Sequence, residues 1–201
     1  MRKLPAIQHT EQLFYENLLR YNTCHLPRYA FATKFMNEKS VVMDFGGGAG
    51  YGSFILAGEA GEVFLVERNK MALDYAKKFY YRDNITYLNL DRPPRDWTFD
   101  VIVAFEVVEH VKDADSLMRR FYELMNPGGT LVVSVPNESI VPHAASNNHF
   151  HERHYEPEEL DRLVTEAGFK EPVMYTQLAK GRPEIVPGSF GFTLLMTAKK
   201  L

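Results

Sequence analysis

Two rhythms of apolar residues alternate along the chain. Short runs rich in Val, Ile, Leu and Phe occupy residues 40–45 (SVVMDF), 62–67 (EVFLVE), 84–89 (NITYLN), 100–105 (DVIVAF) and 130–135 (TLVVSV), with two more at 171–178 and 191–198. Runs of this length, bounded by polar residues, glycine and proline, predict strands. Between them lie stretches with helical spacing at 51–58, 69–81, 113–125 and 156–167. In the third of these Leu117, Phe121 and Leu124 share one face, as in a helix packed on a sheet. Asp113 and Asp115 mark its start, Pro127-Gly128-Gly129 follows its end, and Gly168 follows the fourth helix. Strand–helix alternation with near-continuous apolar strands predicts an α/β fold, a mostly parallel sheet covered on both faces. Residues 8–36 are mixed polar and aromatic and predict one or two helices broken near Leu26-Pro27. The expected organisation is residues 1–36 as a helical N-terminal extension of one domain whose body is 37–201.

The first strand runs into VVMDFGGGAGYGS, residues 41–53, with five glycines in seven positions. A glycine loop between a strand and a helix brings its ligand to free N–H groups, which favour an anion or an acceptor. Two nucleotide-loop types do not fit. The ATPase type ends in Gly-Lys-Ser/Thr, and no lysine lies between Ser40 and Lys70. The dinucleotide type needs G-x-G-x-x-G, but Gly46-x-Gly48 leads to Tyr51 and Gly48-x-Gly50 to Ser53. What remains is Asp-x-Gly-x-Gly-x-Gly at 44–50. The second strand ends in Glu67, where an acidic side chain can accept from both ribose hydroxyls. Asp91 follows the third strand, placed either to accept an exocyclic amine of adenine or to serve as a turn residue before Arg92-Pro93-Pro94.

Composition narrows the partners. The 201 residues carry a net charge of −3 with a pI of about 6.2, so no global basic field marks a general nucleic-acid binder, although a local basic patch stays open. Cys24 is the single cysteine, which excludes an intrachain disulfide and a cysteine-based zinc site. The N-terminus lacks the apolar core of a signal peptide, and no run approaches the roughly 18 apolar residues of a membrane span. The expectation is a soluble, cytoplasmic protein.

Segments VVMDFGGGAGYGSFILA, VFLVERNKMALDYAKKFY, FDVIVAFEVVEHVKDADSLMRRFYELMNPGGTLVVSVPN and HFHERHYEPEELDRLVTEAGF follow one another as in the class I S-adenosylmethionine-dependent methyltransferases. The resemblance covers roughly residues 28–201, nearly the whole chain. It implies a Rossmann-like sheet of seven strands in the order 3-2-1-4-5-7-6, the last antiparallel. It also implies that Asp44, Gly46, Gly48 and Gly50 line the methionine part of the cofactor, that Glu67 holds the ribose and that Asp91 faces adenine. Phe105 falls where the family brings a residue alongside the cofactor. Gly47 stands where the family usually has a cysteine or another small residue, which should loosen the loop slightly. The segment LPRYAFA, residues 26–32, resembles one that some relatives fold over the cofactor, with Arg28 as the candidate partner of its carboxylate.

Two clusters are candidates for the acceptor chemistry. In FEVVEH, residues 105–110, a helical turn would bring Glu106, Glu109 and His110 onto one side. The string E-x-x-E-H resembles that of the ubiquinone-biosynthesis O-methyltransferases and the small-RNA 2′-O-methyltransferases, where it is associated with magnesium or a similar ion. Two carboxylates and an imidazole can ligate a divalent ion. Many class I relatives carry a similar string with no metal assigned, and a metal-free pocket in which Glu109 or His110 binds the acceptor is the preferred reading. In HFHERH, residues 149–154, an extended segment would point His149 and His151 the same way, and the family places this stretch near the acceptor. A histidine there is a natural base at neutral pH.

The expected activity is O-methylation of a small-molecule, lipid or sugar acceptor. RYAFA, GYGS and the NHFH loop resemble bacterial methyltransferases associated with surface-glycan synthesis. Two alternatives stand beside it. An RNA 2′-O-methyltransferase would use the metal set and a basic track, for which Arg92, Arg95, Arg119, Arg120, Arg153 and Arg162 are scattered candidates. A non-catalytic cofactor- or partner-binding module would keep the fold without turnover.

Overall fold

Alternation within single strands sorts the core onto two faces of one sheet. In β1 (Val41–Phe45) Val42 enters one apolar cluster and Met43 the other; in β2 (Glu62–Glu67) Val63 and Leu65 part from Phe64 and Val66 in the same way. This is the behaviour of strands buried on both sides. The computed structural model describes residues 25–90, 97–146, 149–178 and 184–201.

Helices α1 (His25–Ala32), α2 (Tyr51–Leu56) and α3 (Lys70–Phe79) supply residues to one cluster, and α4 (Ala114–Leu124) and α5 (Pro157–Glu166) supply the other. The remaining strands are β3 (Ile85–Asn89), β4 (Phe99–Phe105), β5 (Met125–Pro136), β6 (Lys170–Gln177), β7 (Ile185–Pro187) and β8 (Thr193–Lys199). Among the described residues they form one sheet in the order β3-β2-β1-β4-β5-β8-β6-β7. β1 to β5 are parallel, and β8 lies antiparallel between β5 and β6.

The expected seven-strand order is thus present with one strand added. β7 pairs antiparallel with β6 at the sheet edge through Tyr175 to Gln177. At three residues, with a proline last, it is too short to carry a periodic signal. Pro27 sits in the first turn of α1, where a missing N–H removes no helical hydrogen bond, and the residues before His25 lie outside the described ones. One local expectation shifts. Pro127-Gly128-Gly129 is an irregularity inside β5, whose partners jump from Met125 beside Phe99 to Thr130 beside Val101. The start of α4 falls as the sequence suggested, with Asp113 accepting from Ser116 N–H at 3.0 Å. Glu156 and Glu159 add a reciprocal capping box to α5.

Candidate active site

Strand order places β1 beside β4, with β2 and β3 to one side and β5 to the other. That junction is a topological switch point, and the loops leaving the carboxyl ends of β1 and β4 meet above it. Their contact is direct. A Cβ on Gly46 would lie 2.5 Å from Val107 Cγ2, so only glycine lets the turn after β4 approach this closely. Gly48 is glycine for another reason. Its φ is +54°, and a Cβ there would meet nothing nearer than Gly46 O at 3.9 Å. The space over Gly48 is open, as a cradle for a ligand must be. Gly50, with φ +89°, turns the chain into α2.

Glu67 ends β2 beside that opening. Its Oε2 accepts Gly48 N–H at 3.1 Å and its Oε1 accepts Asn69 N–H at 2.7 Å, which fixes the carboxylate against the loop. Asp44 lies beneath, fully buried, accepting from Ser53 Oγ at 2.6 Å and from Tyr29 Oη at 3.3 Å. A Cβ at Gly47 would lie 2.8 Å from Asp44 Oδ2 and 2.9 Å from Leu65, so the bare backbone there lets the loop approach both side chains. Tyr29 also packs edge to face on Tyr51 and Phe105, at 5.6 and 5.1 Å. Tyr29 of α1 therefore ties the end of β1, the start of α2 and the end of β4 together. Asp91 lies outside the described residues.

Burial raises the Asp44 carboxyl from 3.8 to about 7, against the lowering effect of the bonds from Ser53 and Tyr29. In the unfolded chain it would titrate near 4, about the usual carboxylate value. Between these values the folded chain holds a proton that the unfolded chain has released. This contribution to stability is complete below about pH 4 and is lost as pH rises towards about 7. Asp44→Asn should remove it: urea midpoints of the parent should fall between about pH 4.5 and 7 relative to those of the variant. Parallel curves would contradict the assignment.

On the β4 side the expected helical turn does not form over the whole string. Val108–His110 is a short 3-10 helix, but Glu106 precedes it in the left-handed region, φ +54°. That geometry sends Glu106 away from Glu109 and His110, to Arg28 Nη1 at 2.9 Å and Ser134 Oγ at 2.8 Å. Burial alone would raise the Glu106 carboxyl; Arg28, His25, Ser134 and His151 outweigh it and hold the group below its ordinary value. Arg28 is itself buried and donates to Gln177 at 2.7 Å, Thr193 at 3.0 Å and Ser134 at 3.5 Å. Its guanidinium faces Glu106 and the ends of β5, β6 and β8.

Glu106 thus leaves the candidate metal set, and His151 takes its place. One ligand atom each from Glu109, His110 and His151 lies within 4.8 Å of the other two. His110 Nδ1 donates to Phe150 O at 2.8 Å, which leaves Nε2 as the nitrogen with a lone pair. Glu109 is fully buried, and its backbone oxygen accepts from Glu152 N–H at 2.7 Å, tying the two loops together. His149 does not join them. The chain turns at 149–150 instead of running extended, so the expected alternation fails and His149 is exposed while His151 is half-buried. Ser134, Gln177 and Thr193 had no signal in the sequence, whereas Tyr29 lay within LPRYAFA and His154 closed HFHERH, though neither was given a role of its own.

A sheet with this strand order, helices on both faces and a glycine loop after β1 define a Rossmann-like α/β protein. The family model described as a methyltransferase domain matches residues 15–171, and the chain belongs to that family. It is 32% identical over 136 residues to a probable S-adenosylmethionine-dependent methyltransferase of Mycobacterium tuberculosis, covering 66% of this chain and 50% of the relative. It is 33% identical over 85 residues to a ubiquinone biosynthesis O-methyltransferase of Azorhizobium caulinodans, covering 36% of this chain and 34% of that one. The chain spans about half the length of the first of these curated relatives. Among solved structures, a Thermotoga maritima S-adenosylmethionine-dependent methyltransferase described as a possible histamine N-methyltransferase superposes with a TM-score of 0.72 at 19% identity, over 92% of this chain and 94% of that one. No helix among the described residues is long and apolar enough to cross a membrane.

Proposed function

We propose that the chain transfers a methyl group from S-adenosylmethionine to a hydroxyl of a small-molecule, lipid or sugar acceptor. The observation that carries this reading is the open space over Gly48, bounded by Glu67 on one side and joined through Val107 to the turn bearing Glu109 and His110. The residues present fit the cofactor. Gly46, Gly48 and Gly50 offer bare backbone, and Glu67 keeps lone pairs for ribose hydroxyls beyond the two N–H groups it already accepts. Phe105, packed on Tyr29, is the residue proposed to lie alongside it, and Asp44 holds the loop from below. Bound there, S-adenosylmethionine supplies an electrophilic methyl group. The chain's own work is to hold the acceptor oxygen in line at near-attack distance and to take its proton. His151 and His110 are the residues proposed for that proton, and Glu109 for orienting the acceptor. Oxygen as the acceptor atom is supported by the O-methyltransferase named among the relatives.

RNA is the weaker acceptor reading. Arg120 and Arg153 are paired with Glu123 and Glu159, which offsets their charge, and Arg92 and Arg95 lie outside the described residues. Incubation with methyl-labelled cofactor and fractionated small molecules, lipids, glycans and RNA tests the proposal. Label entering a hydroxyl of one of the first three supports it; label confined to RNA, or no transfer into any fraction, overturns it.

A divalent ion is a second reading, favoured by the clustering of Glu109, His110 and His151. Two imidazoles and a carboxylate suit such an ion, which would acidify an acceptor hydroxyl. Chelation should then abolish turnover and magnesium or manganese restore it, while cofactor binding at the glycine loop persists. Full activity in a preparation shown by elemental analysis to hold no metal would exclude the ion.

A further inference from the structure

His151 does not stand alone behind the acceptor-side cluster. Its Nδ1 lies 2.7 Å from His154 Nε2, and His154 Nδ1 lies 2.6 Å from the carbonyl oxygen of Val141. A carbonyl oxygen can only accept, so His154 Nδ1 carries a proton. In the neutral ring the other nitrogen, Nε2, is then an acceptor, and His151 Nδ1–H is the donor that meets it. One backbone carbonyl therefore sets the proton positions of two successive rings. With Nδ1 committed to His154, the nitrogen that His151 can offer to Glu109 and His110 is Nε2, bearing a lone pair.

Free imidazole side chains favour the opposite tautomer, with the proton on Nε2, so this arrangement has to be imposed. The means of imposing it are rigid. His154 is 4% exposed, and its ring packs against His143 and His151 at centroid distances of 5.2 and 4.9 Å. His143 Nε2 donates to the backbone oxygen of His151 at 3.0 Å, which fixes the main chain where the His151 ring begins. Glu138 Oε2 lies 3.7 Å from His154 Nδ1, beside the proton that Val141 accepts.

We propose that His154 is a positioning residue that holds His151 in the tautomer with Nε2 unprotonated, so that its lone pair serves the space shared with Glu109 and His110. The role is the same whether that lone pair takes a proton from an acceptor hydroxyl or ligates an ion. The proposal rests on reading this cluster as the acceptor-side site, but the tautomer can be observed without cofactor, acceptor or metal.

The experiment is a long-range proton–nitrogen correlation spectrum of the full chain, labelled with ring-nitrogen-15 histidine and free of metal, at about pH 8, where an ordinary histidine is neutral. His151 should show a protonated Nδ1 and an unprotonated Nε2. In His154→Phe, which removes the acceptor, the His151 proton should move to Nε2, and manganese affinity or methyl transfer should fall about 10–100-fold. His154→Gln, which keeps an acceptor oxygen, should retain the native tautomer and recover most of the loss. A parent His151 protonated on Nε2, or averaging between tautomers, overturns the proposal, as does an unchanged His151 in a folded Phe variant. If the Phe variant does not fold, the parent and Gln spectra decide. Failure of the methyltransferase reading leaves the spectrum unaltered, so the two failures are separable.

Discussion

Arg28→Met is expected to lower the stability of the folded chain by about 3–5 kcal/mol, the cost of leaving a buried carboxylate without its partner. Glu106 lies 2.9 Å from the Arg28 guanidinium, and both groups are shielded from solvent, with side-chain exposures of 4% for Arg28 and 24% for Glu106. Methionine keeps most of the volume of the stem but removes the charge. Gln177, Thr193 and Ser134 lose a donor in the same step. Arg28→Met combined with Glu106→Gln should recover much of the loss, because removing both charges leaves no buried ion. Urea denaturation of the two variants measures the difference. Equal destabilisation in the single and double variants would show that packing, not the charge pair, holds α1.

Gly48→Val is expected to abolish cofactor binding in a chain that still folds. Its side chain would project into the open space above the loop, where among the described residues the nearest atom beyond its chain neighbours, Gly46 O, lies 3.9 Å from the added Cβ. The positive φ adds backbone strain for a branched residue, so the milder Gly48→Ala separates strain from obstruction. Glu67→Ala should weaken binding by about 1–3 kcal/mol, roughly 5- to 150-fold, through lost charge-assisted bonds. Calorimetric titration with S-adenosylmethionine reads all three. Unchanged affinity in folded Gly48→Val and Glu67→Ala would remove the cofactor from this loop.

The placement of those two residues was legible in the sequence because it is local. Gly48 follows a strand within a short motif, and Glu67 closes the next apolar run, so position along the chain implies position at the sheet edge. The alternation of apolar runs with helical stretches made a mostly parallel α/β sheet legible, but the strand order came from the resemblance to the class I methyltransferases. Arg28 is the opposite case. RYAFA suggested a segment folded over the site, but the partners of the guanidinium come from β5, β6, β8 and the turn after β4, and no spacing encodes that meeting. Glu106 was misplaced because the string E-x-x-E-H has helical spacing while its first residue adopts a left-handed turn. His154 shares its segment with His151, yet its role depends on a carbonyl thirteen residues earlier, at Val141.

The bonds of Arg28 to Gln177 and Thr193 span 149 and 165 residues of sequence. During synthesis the helix that bears Arg28 emerges long before either acceptor exists. Domains commonly gain structure from their N-terminal end as they are made, but here an early helix must wait for the final strand before its arginine can be seated. Closing so long a loop is slow, so the bonds that seat Arg28 wait on the last strands of the sheet.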